Sequence, residues 1–343
     1  MAATVLLPTD KTKLAKAIKR LMSAGTQARN IRMVQWMISY HYLQGARDFS
    51  NPNWQSGTVS VNRGHANSVG YKDFRYDEVV TRYQTELGRM LKIDLRPRVK
   101  KVGMGLDSLR KAGIAQIALD NLAPQNVVER CKAEILPLLL TFGAAGLSSW
   151  VDSKGRSHPE VSPPWELLPI PGEPLASVDG GGLMRVRWMS LERLKEFEMD
   201  PNNPGVRKKW GDMEYKEVPY GTVPRDENSP VASNSLFSML SPDDSAKQGK
   251  GKGGKESQTQ KFVQIIETWV ESESGNLARY ILCGGGKVLA DFDYTKESRQ
   301  PPMPIKKITY IDTGSFYGRG FVEILIPVND EVESLLSRLF ENI

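Results

Sequence analysis

Apolar positions recur at helical spacing from the start of the chain. Leu14, Ile18, Leu21 and Met22 stand three and four apart behind Thr9 and Asp10, either of which can cap a helix, and Gly25 offers a stop beyond Ser23. Ile31, Val34, Trp36, Met37, Tyr40 and Leu43 form a second broad apolar face that ends before Gly45, so the spacing predicts two helices joined near Gly25. Residues 46–75 are rich in Asn, Ser, Gly and Arg without a sustained period and read as a loop with one short strand. Helical spacing resumes over Asp77–Leu91, followed by an extended piece around Pro97–Val102. Asp107 can cap a helix to Leu122 with Leu109, Ile114, Ile117 and Ala118 facing inward, and beyond Pro124 another helix covers Gln125–Thr141.

From Gly146 the period shortens from 3.6 towards two. LSSWVD, the turn SKGR and a proline-broken run to Leu168 predict a β-hairpin; Met184–Met189 reads as a strand and Leu191–Phe197 as a short helix. Phe262–Val270, Leu277–Cys283 and Lys287–Tyr294 alternate between ESESGN and GGG as a three-stranded meander, with a further strand over Ile305–Ile311. Val328–Ile343 is helical again, with Val332, Leu335, Leu336 and Leu339 in a stripe and no stop signal, so the chain reads as cut in mid-helix. The expected fold class is α+β: a helical region over 1–145, a hairpin and mixed segment over 146–240, a β-meander over 260–312 and a final turn and helix over 313–343. Between them, 241–259 is too polar to offset its ordering entropy and reads as a mobile loop.

Composition narrows the class. With 343 residues, 40% hydrophobic and 25% charged, and a mean hydropathy of −0.40, collagen, full disorder and a membrane bundle are excluded. The longest apolar stretch, Ile135–Leu147, is 13 residues, interrupted by Pro137, Gly143 and Gly146, and too short to cross hydrocarbon. The amino terminus, MAATVLLPTDK, runs apolar-then-basic, the reverse of a secretory signal, and the expectation is a protein that stays in the cytosol where it is made. The net charge of +6 sits in one segment: residues 1–35 carry Lys11, Lys13, Lys16, Lys19, Arg20, Arg29 and Arg32 against Asp10 alone. Such a helix can contact phosphate through Lys13, Lys16, Lys19 and Arg20, or be a solvated face.

Candidate chemistry mostly fails. Gly249, Gly254 and Lys255 match the phosphate-loop spacing, but Glu256 replaces the hydroxyl that would ligate magnesium, within low-complexity sequence and with no strand before it. The Gly103/Gly105 pair does not complete a dinucleotide fingerprint, and GxSxG is absent. Cys131 and Cys283 read as buried small hydrophobes, and with His41, His65 and His158 scattered no zinc site is expected. The pairs Asp243/Asp244, Asp291/Asp293 and Glu271/Glu273 read as surface charge, and Trp36, Tyr40 and Tyr42 as core before base-stacking platforms. No catalytic residue, metal or cofactor is expected.

The join between sheet and final helix, TYIDTGSFYGRGFVEILIPVNDEVESLLSRLFENI, resembles the portal proteins of tailed bacteriophages, in which a glycine-containing aromatic turn leads into a helix. Here the turn is Phe316-Tyr317-Gly318-Arg319-Gly320, followed by Val322, Glu323, Leu325, Ile326 and Asn329. RMVQWMISYHYLQGARDF, with Trp36 and Tyr40, is similar to the family's entry helix; NSVGYKDFRYDEVVTRYQTELGRMLKIDLRPRVKK and the Trp150–Pro171 region follow in the family's order. The resemblance implies a portal-like wing and a homo-oligomeric ring, usually of twelve, at one capsid vertex of the virion, assembled in the host cytoplasm. It further implies that double-stranded DNA passes through the ring, that major capsid protein and scaffold contact it, that terminase and tail adaptors dock on it, and that it is neither an enzyme nor a membrane protein. Portal chains are normally longer, so the expectation is a fragment or a truncated or split gene. Two other readings stay open: a DNA-binding protein using the basic first segment, and a metal-dependent nuclease.

Overall fold

The computed structural model describes residues 7–44, 49–53, 58–61, 78–93, 99–100, 103, 105–122, 127–151, 157–170, 182–191, 215–219, 259–271, 277–293 and 305–341. The polar loop expected at 241–259 therefore lies outside the described residues except for Thr259, as do the helix expected beyond Leu191 and most of the extended piece at 97–102. The fold is α+β with antiparallel sheets.

Helix α1 spans Lys11–Leu43, 33 residues, and the Asp10 carboxylate caps it by accepting from the N–H groups of Thr12 and Lys13 at 3.0 and 2.9 Å. The expected break at Gly25 is not there. That glycine is buried within the helix, where an added Cβ would come within 2.8 Å of the Pro169 carbonyl oxygen and 3.1 Å of Leu168 Cβ. Its lack of a side chain serves close approach of helix to strand, which outweighs the helix penalty of about 1 kcal/mol.

After a hairpin of β1 (Phe49–Asn53) and β2 (Thr58–Val61) come α2 (Glu78–Leu91), α3 (Leu106–Leu122) and α4 (Val127–Phe142). Gly143, at φ +84°, turns α4 into β3 (Ala144–Val151), which pairs with β4 (Ser157–Ser162) as the expected hairpin. A single 3-10 turn, Pro164–Glu166, carries the chain into β5 (Leu167–Pro169) of a second sheet. That sheet runs β10-β9-β8-β6-β5, with β6 at Gly182–Ser190, β8 at Thr259–Glu271, β9 at Leu277–Gly284 and β10 at Lys287–Asp293; β7 (Lys216–Pro219) pairs with the start of β8. The meander is as expected, but β11 (Lys306–Thr309) pairs with β3 in the hairpin sheet instead of extending it.

Period two sorts the faces of β6 and β8. Met184, Val186, Ile266 and Val270 turn to one side and pack with Ile281, Cys283 and Val288 under Leu14 and Ile18 of α1. Arg185, Arg187 and Glu267 turn to the other, toward β4. Thus the first half of α1 lies across the large sheet while its second half enters the helical core.

Helix α5 spans Phe321–Glu341 and begins seven residues earlier than Val328, the start read from the sequence. Pro327 lies inside it. Proline forfeits one main-chain bond there, but the first turn is fixed by Val322, which is fully buried against Tyr42 and Val79. A second correction concerns α3: Leu109, Ile114 and Ile117 do not face inward but are 50–63% exposed. Cys283 is buried as expected, whereas Cys131 is only partly so.

Candidate functional site

The residues carrying the sequence resemblance converge where α1, α4, the 3-10 turn and the start of α5 meet. Met33, Val34, Trp36, Met37 and Tyr40 from α1 pack with Phe142, Ala144, Trp165 and Tyr317 in one cluster. Trp36 meets the Tyr317 ring edge-to-face at 5.0 Å between centroids; Phe142 and Trp165 meet at 5.3 Å, and Phe316 and Tyr317 at 4.7 Å. Such pairs contribute about 0.5–1.5 kcal/mol each beyond burial. Tyr42 is buried too, so all three aromatics of this helix segment are core.

The turn is held mainly by main-chain atoms. The Tyr317 hydroxyl donates to the Leu167 carbonyl at 2.7 Å, and burial pushes its pKa well above the usual phenol range, only partly opposed by Arg29 and Arg32. Lys307 donates to the Phe316 carbonyl at 2.6 Å and stacks over the Phe316 ring. Gly318 adopts φ +67°, and a Cβ on it would sit 2.5 Å from the Ile311 carbonyl oxygen. Gly320 packs against the backbone of Leu140 and Thr141, where a Cβ would come within 2.7 Å of an oxygen. These contacts explain a glycine on each side of Arg319, whose own side chain is exposed and lies 3.6 Å from Glu323.

Arg29 and Arg32 join this junction and leave the basic face. Arg29 is buried and donates to the Trp165 carbonyl at 2.8 Å. Arg32 donates to the Gly318 carbonyl at 2.6 Å and to the Glu323 carboxylate at 2.8 Å, fastening α1 to both the turn and the first turn of α5. Further along α5, Asn329 is buried and donates to the Tyr42 hydroxyl at 2.8 Å and to Glu333 at 2.9 Å, while Tyr42 donates to Asp330. Of the residues that carry the resemblance, Trp36, Tyr40, Phe316, Tyr317, Gly318, Gly320 and Asn329 are thus part of the packing that sets the angle at which α5 leaves the body.

Lys13, Lys16, Lys19 and Arg20 are placed elsewhere. All four are exposed on the outer side of the first half of α1, with Leu14 and Ile18 pressed onto the sheet beneath. At 1.5 Å per residue, Lys16 lies about 30 Å along the helix from Trp36.

A second polar cluster was not read from the sequence. Arg185 donates to Glu267 at 2.6 Å, to Glu160 at 3.2 Å and to Ser162 at 3.1 Å; Arg187 donates to Glu160 at 2.5 Å and to Glu267 at 3.1 Å. Two guanidiniums and two carboxylates close a ring that joins β4 to β6 and β8. Burial disfavours the charged form of Glu267, but Arg187 and Arg185 hold its carboxyl below the usual range. Glu166, on the 3-10 turn, is a third carboxylate for two guanidiniums, and burial pushes it up to about 7 despite Arg187 and Arg185. The available signal was the period-two pair Arg185/Arg187 inside an otherwise apolar strand.

Among the described residues, no three His, Cys, Asp or Glu side chains are placed to hold a metal ion, and no helix is long and apolar enough to cross a membrane. Asp291, read from the sequence as surface charge, accepts from Arg279 at 2.8 and 2.7 Å. No protein-family model and no curated protein matches the chain.

Proposed function

We propose that the protein is a portal subunit of a tailed bacteriophage, forming a ring at one capsid vertex through which DNA is packaged and ejected. The observation that carries this reading is the Trp36–Tyr317 contact. The two segments with the strongest resemblance to portals are far apart in sequence, and their signature aromatics form one buried joint at 5.0 Å, tied again by Arg32 and Glu323. A joint of this kind sets the direction of a helix, which suits a wing carrying a stem. In this role the chain catalyses nothing; its partners are further copies of itself, twelve being the usual ring of the family it resembles, with capsid protein, scaffold, terminase and tail adaptor, and DNA in the channel.

The exposed row Lys13, Lys16, Lys19 and Arg20 supports a second reading as a DNA-binding protein. Mass photometry and negative-stain microscopy separate the two. A particle of about a dozen subunits with a central hole supports the portal; a monomer that shifts DNA with steep salt dependence replaces it with the second reading.

A further inference from the structure

The salt-bridge ring between β4, β6 and β8 holds one carboxylate too many. Glu160, Glu166 and Glu267 stand against Arg185 and Arg187, three acids to two bases. Both guanidiniums bond to Glu160 and Glu267, and among the described residues the Glu166 side chain has no hydrogen bond or ion pair. A donor in the same cluster is also left over. Arg187 Nε is buried and donates to nothing among the described residues, a costly state for a charged group. Glu166 is only partly buried, so its proton can pass to water. The turn that carries it touches β6 and β3, and β3 has no charged residue. β4 adds His158, two positions from Glu160, and α1 adds Arg29, bonded to the Trp165 carbonyl.

We propose that the 3-10 turn is a proton-operated switch on the joint that aims α5: on losing its proton to water, Glu166 turns its carboxylate to Arg187 Nε, and the turn draws the Trp165 and Leu167 carbonyls away from Arg29 and Tyr317. The covalent path of the chain makes the link. The Trp165 carbonyl belongs to the peptide that ends at the Glu166 nitrogen and accepts from Arg29 at 2.8 Å; the Leu167 carbonyl, one residue on, accepts from the Tyr317 hydroxyl at 2.7 Å. A side chain pulled toward β6 therefore tilts both acceptors. With Glu166 protonated the cluster is neutral, two carboxylates to two guanidiniums, and both bonds stand. Ionised, it carries one net negative charge, which the unused Arg187 Nε answers with a charge-assisted bond. Burial pushes Glu166 up to about 7 against Arg187 and Arg185, so the switch turns over near neutral pH. It lies wholly within one subunit and does not depend on what the chain assembles into.

The test is a pH titration of the full-length chain by near-UV circular dichroism, with hydrogen exchange over residues 316–322. The wild type should show one transition with its midpoint at about 7. Between about pH 6 and about pH 8 the ionised fraction rises about tenfold. Exchange at the turn, corrected for its intrinsic pH dependence, should rise by about the same factor. Glu166→Gln cannot ionise and should stay flat, whereas His158→Gln should keep the transition. A flat wild type, a transition that survives Glu166→Gln, or one that vanishes in His158→Gln overturns the switch. A transition without faster exchange at 316–322 overturns its link to the joint. Should Glu166→Gln fail to fold, infrared difference spectra of the wild type decide: loss of a protonated carboxyl band between the same two pH values is expected, and its absence overturns the proposal.

Discussion

Gly314 and Gly318 hold nearly the same backbone torsion, φ +71° and +67°, in the same approach to α5. Their surroundings differ. A Cβ on Gly314 would meet nothing within 4 Å, whereas one on Gly318 would lie 2.5 Å from the Ile311 carbonyl oxygen and 3.2 Å from Thr309 Cβ. Gly314→Ala therefore reports the cost of an L side chain at positive φ alone, about 1 kcal/mol, partly offset by a stiffer unfolded chain. Gly318→Ala carries that cost and also displaces a carbonyl that accepts from the Arg319 N–H at 3.0 Å. Losing this bond adds about 1 kcal/mol, and relieving the remaining overlap adds about 1 kcal/mol for each ~7° of bond-angle distortion. The expected destabilisation is thus about 3 kcal/mol for Gly318→Ala and about 1 kcal/mol or less for Gly314→Ala. Urea unfolding followed by tryptophan fluorescence suits the test, because Trp36 lies 5.0 Å from Tyr317 beside the turn. The midpoints should separate at constant slope. Equal losses, or a larger one at Gly314, would refute the claim that close backbone packing fixes this turn.

Three further outcomes follow from the same geometry. Glu267→Gln leaves Arg185 and Arg187 short of one buried counter-charge and should cost about 3–5 kcal/mol in denaturant unfolding; a loss under about 1 kcal/mol would mean that the cluster is open to water. Glu166, raised to about 7 in the folded chain, binds its proton more tightly folded than unfolded, so its contribution to stability falls as pH rises from about 4.5 to about 7 and is level above that. Glu166→Gln should then gain on the wild type across that window, and a difference that does not change with pH refutes the assignment. Reversal of Lys13, Lys16 and Lys19 to Glu should leave thermal unfolding within about 0.5 kcal/mol, since all three are exposed. In an assembled particle the same reversal should lower DNA packaging, and unchanged packaging removes the row from the DNA path.

Local pattern placed most elements correctly because period and turn chemistry are local. The hairpin after Gly146, the meander and the helices over 78–91, 106–122 and 127–142 all follow from spacing. Partner choice does not: nothing in Lys306–Thr309 says that it pairs with β3, since any edge offers the same main-chain groups. Nor could spacing alone orient α3. Its apolar stripe predicts an inward face, whereas Leu109, Ile114 and Ile117 are exposed.

Counting charge by segment hid two residues of the site. Arg29 and Arg32 enter that count as the end of a basic segment over residues 1–35. Their helical spacing says otherwise: Arg29, Met33, Trp36 and Tyr40 stand four, three and four apart, on a single face of α1. A guanidinium on that face must find acceptors inside the protein, because an unpaired buried charge costs several kcal/mol. The acceptor found by Arg29 is the Trp165 carbonyl, and Arg32, four residues before Trp36, finds Gly318 and Glu323. The exposed positive charge then reduces to Lys11, Lys13, Lys16, Lys19 and Arg20, confined to the half of α1 that lies on the sheet. One continuous helix therefore separates two surfaces by distance: its second half anchors the turn that aims α5, while its first half presents charge about 30 Å away, where substitutions leave the joint undisturbed.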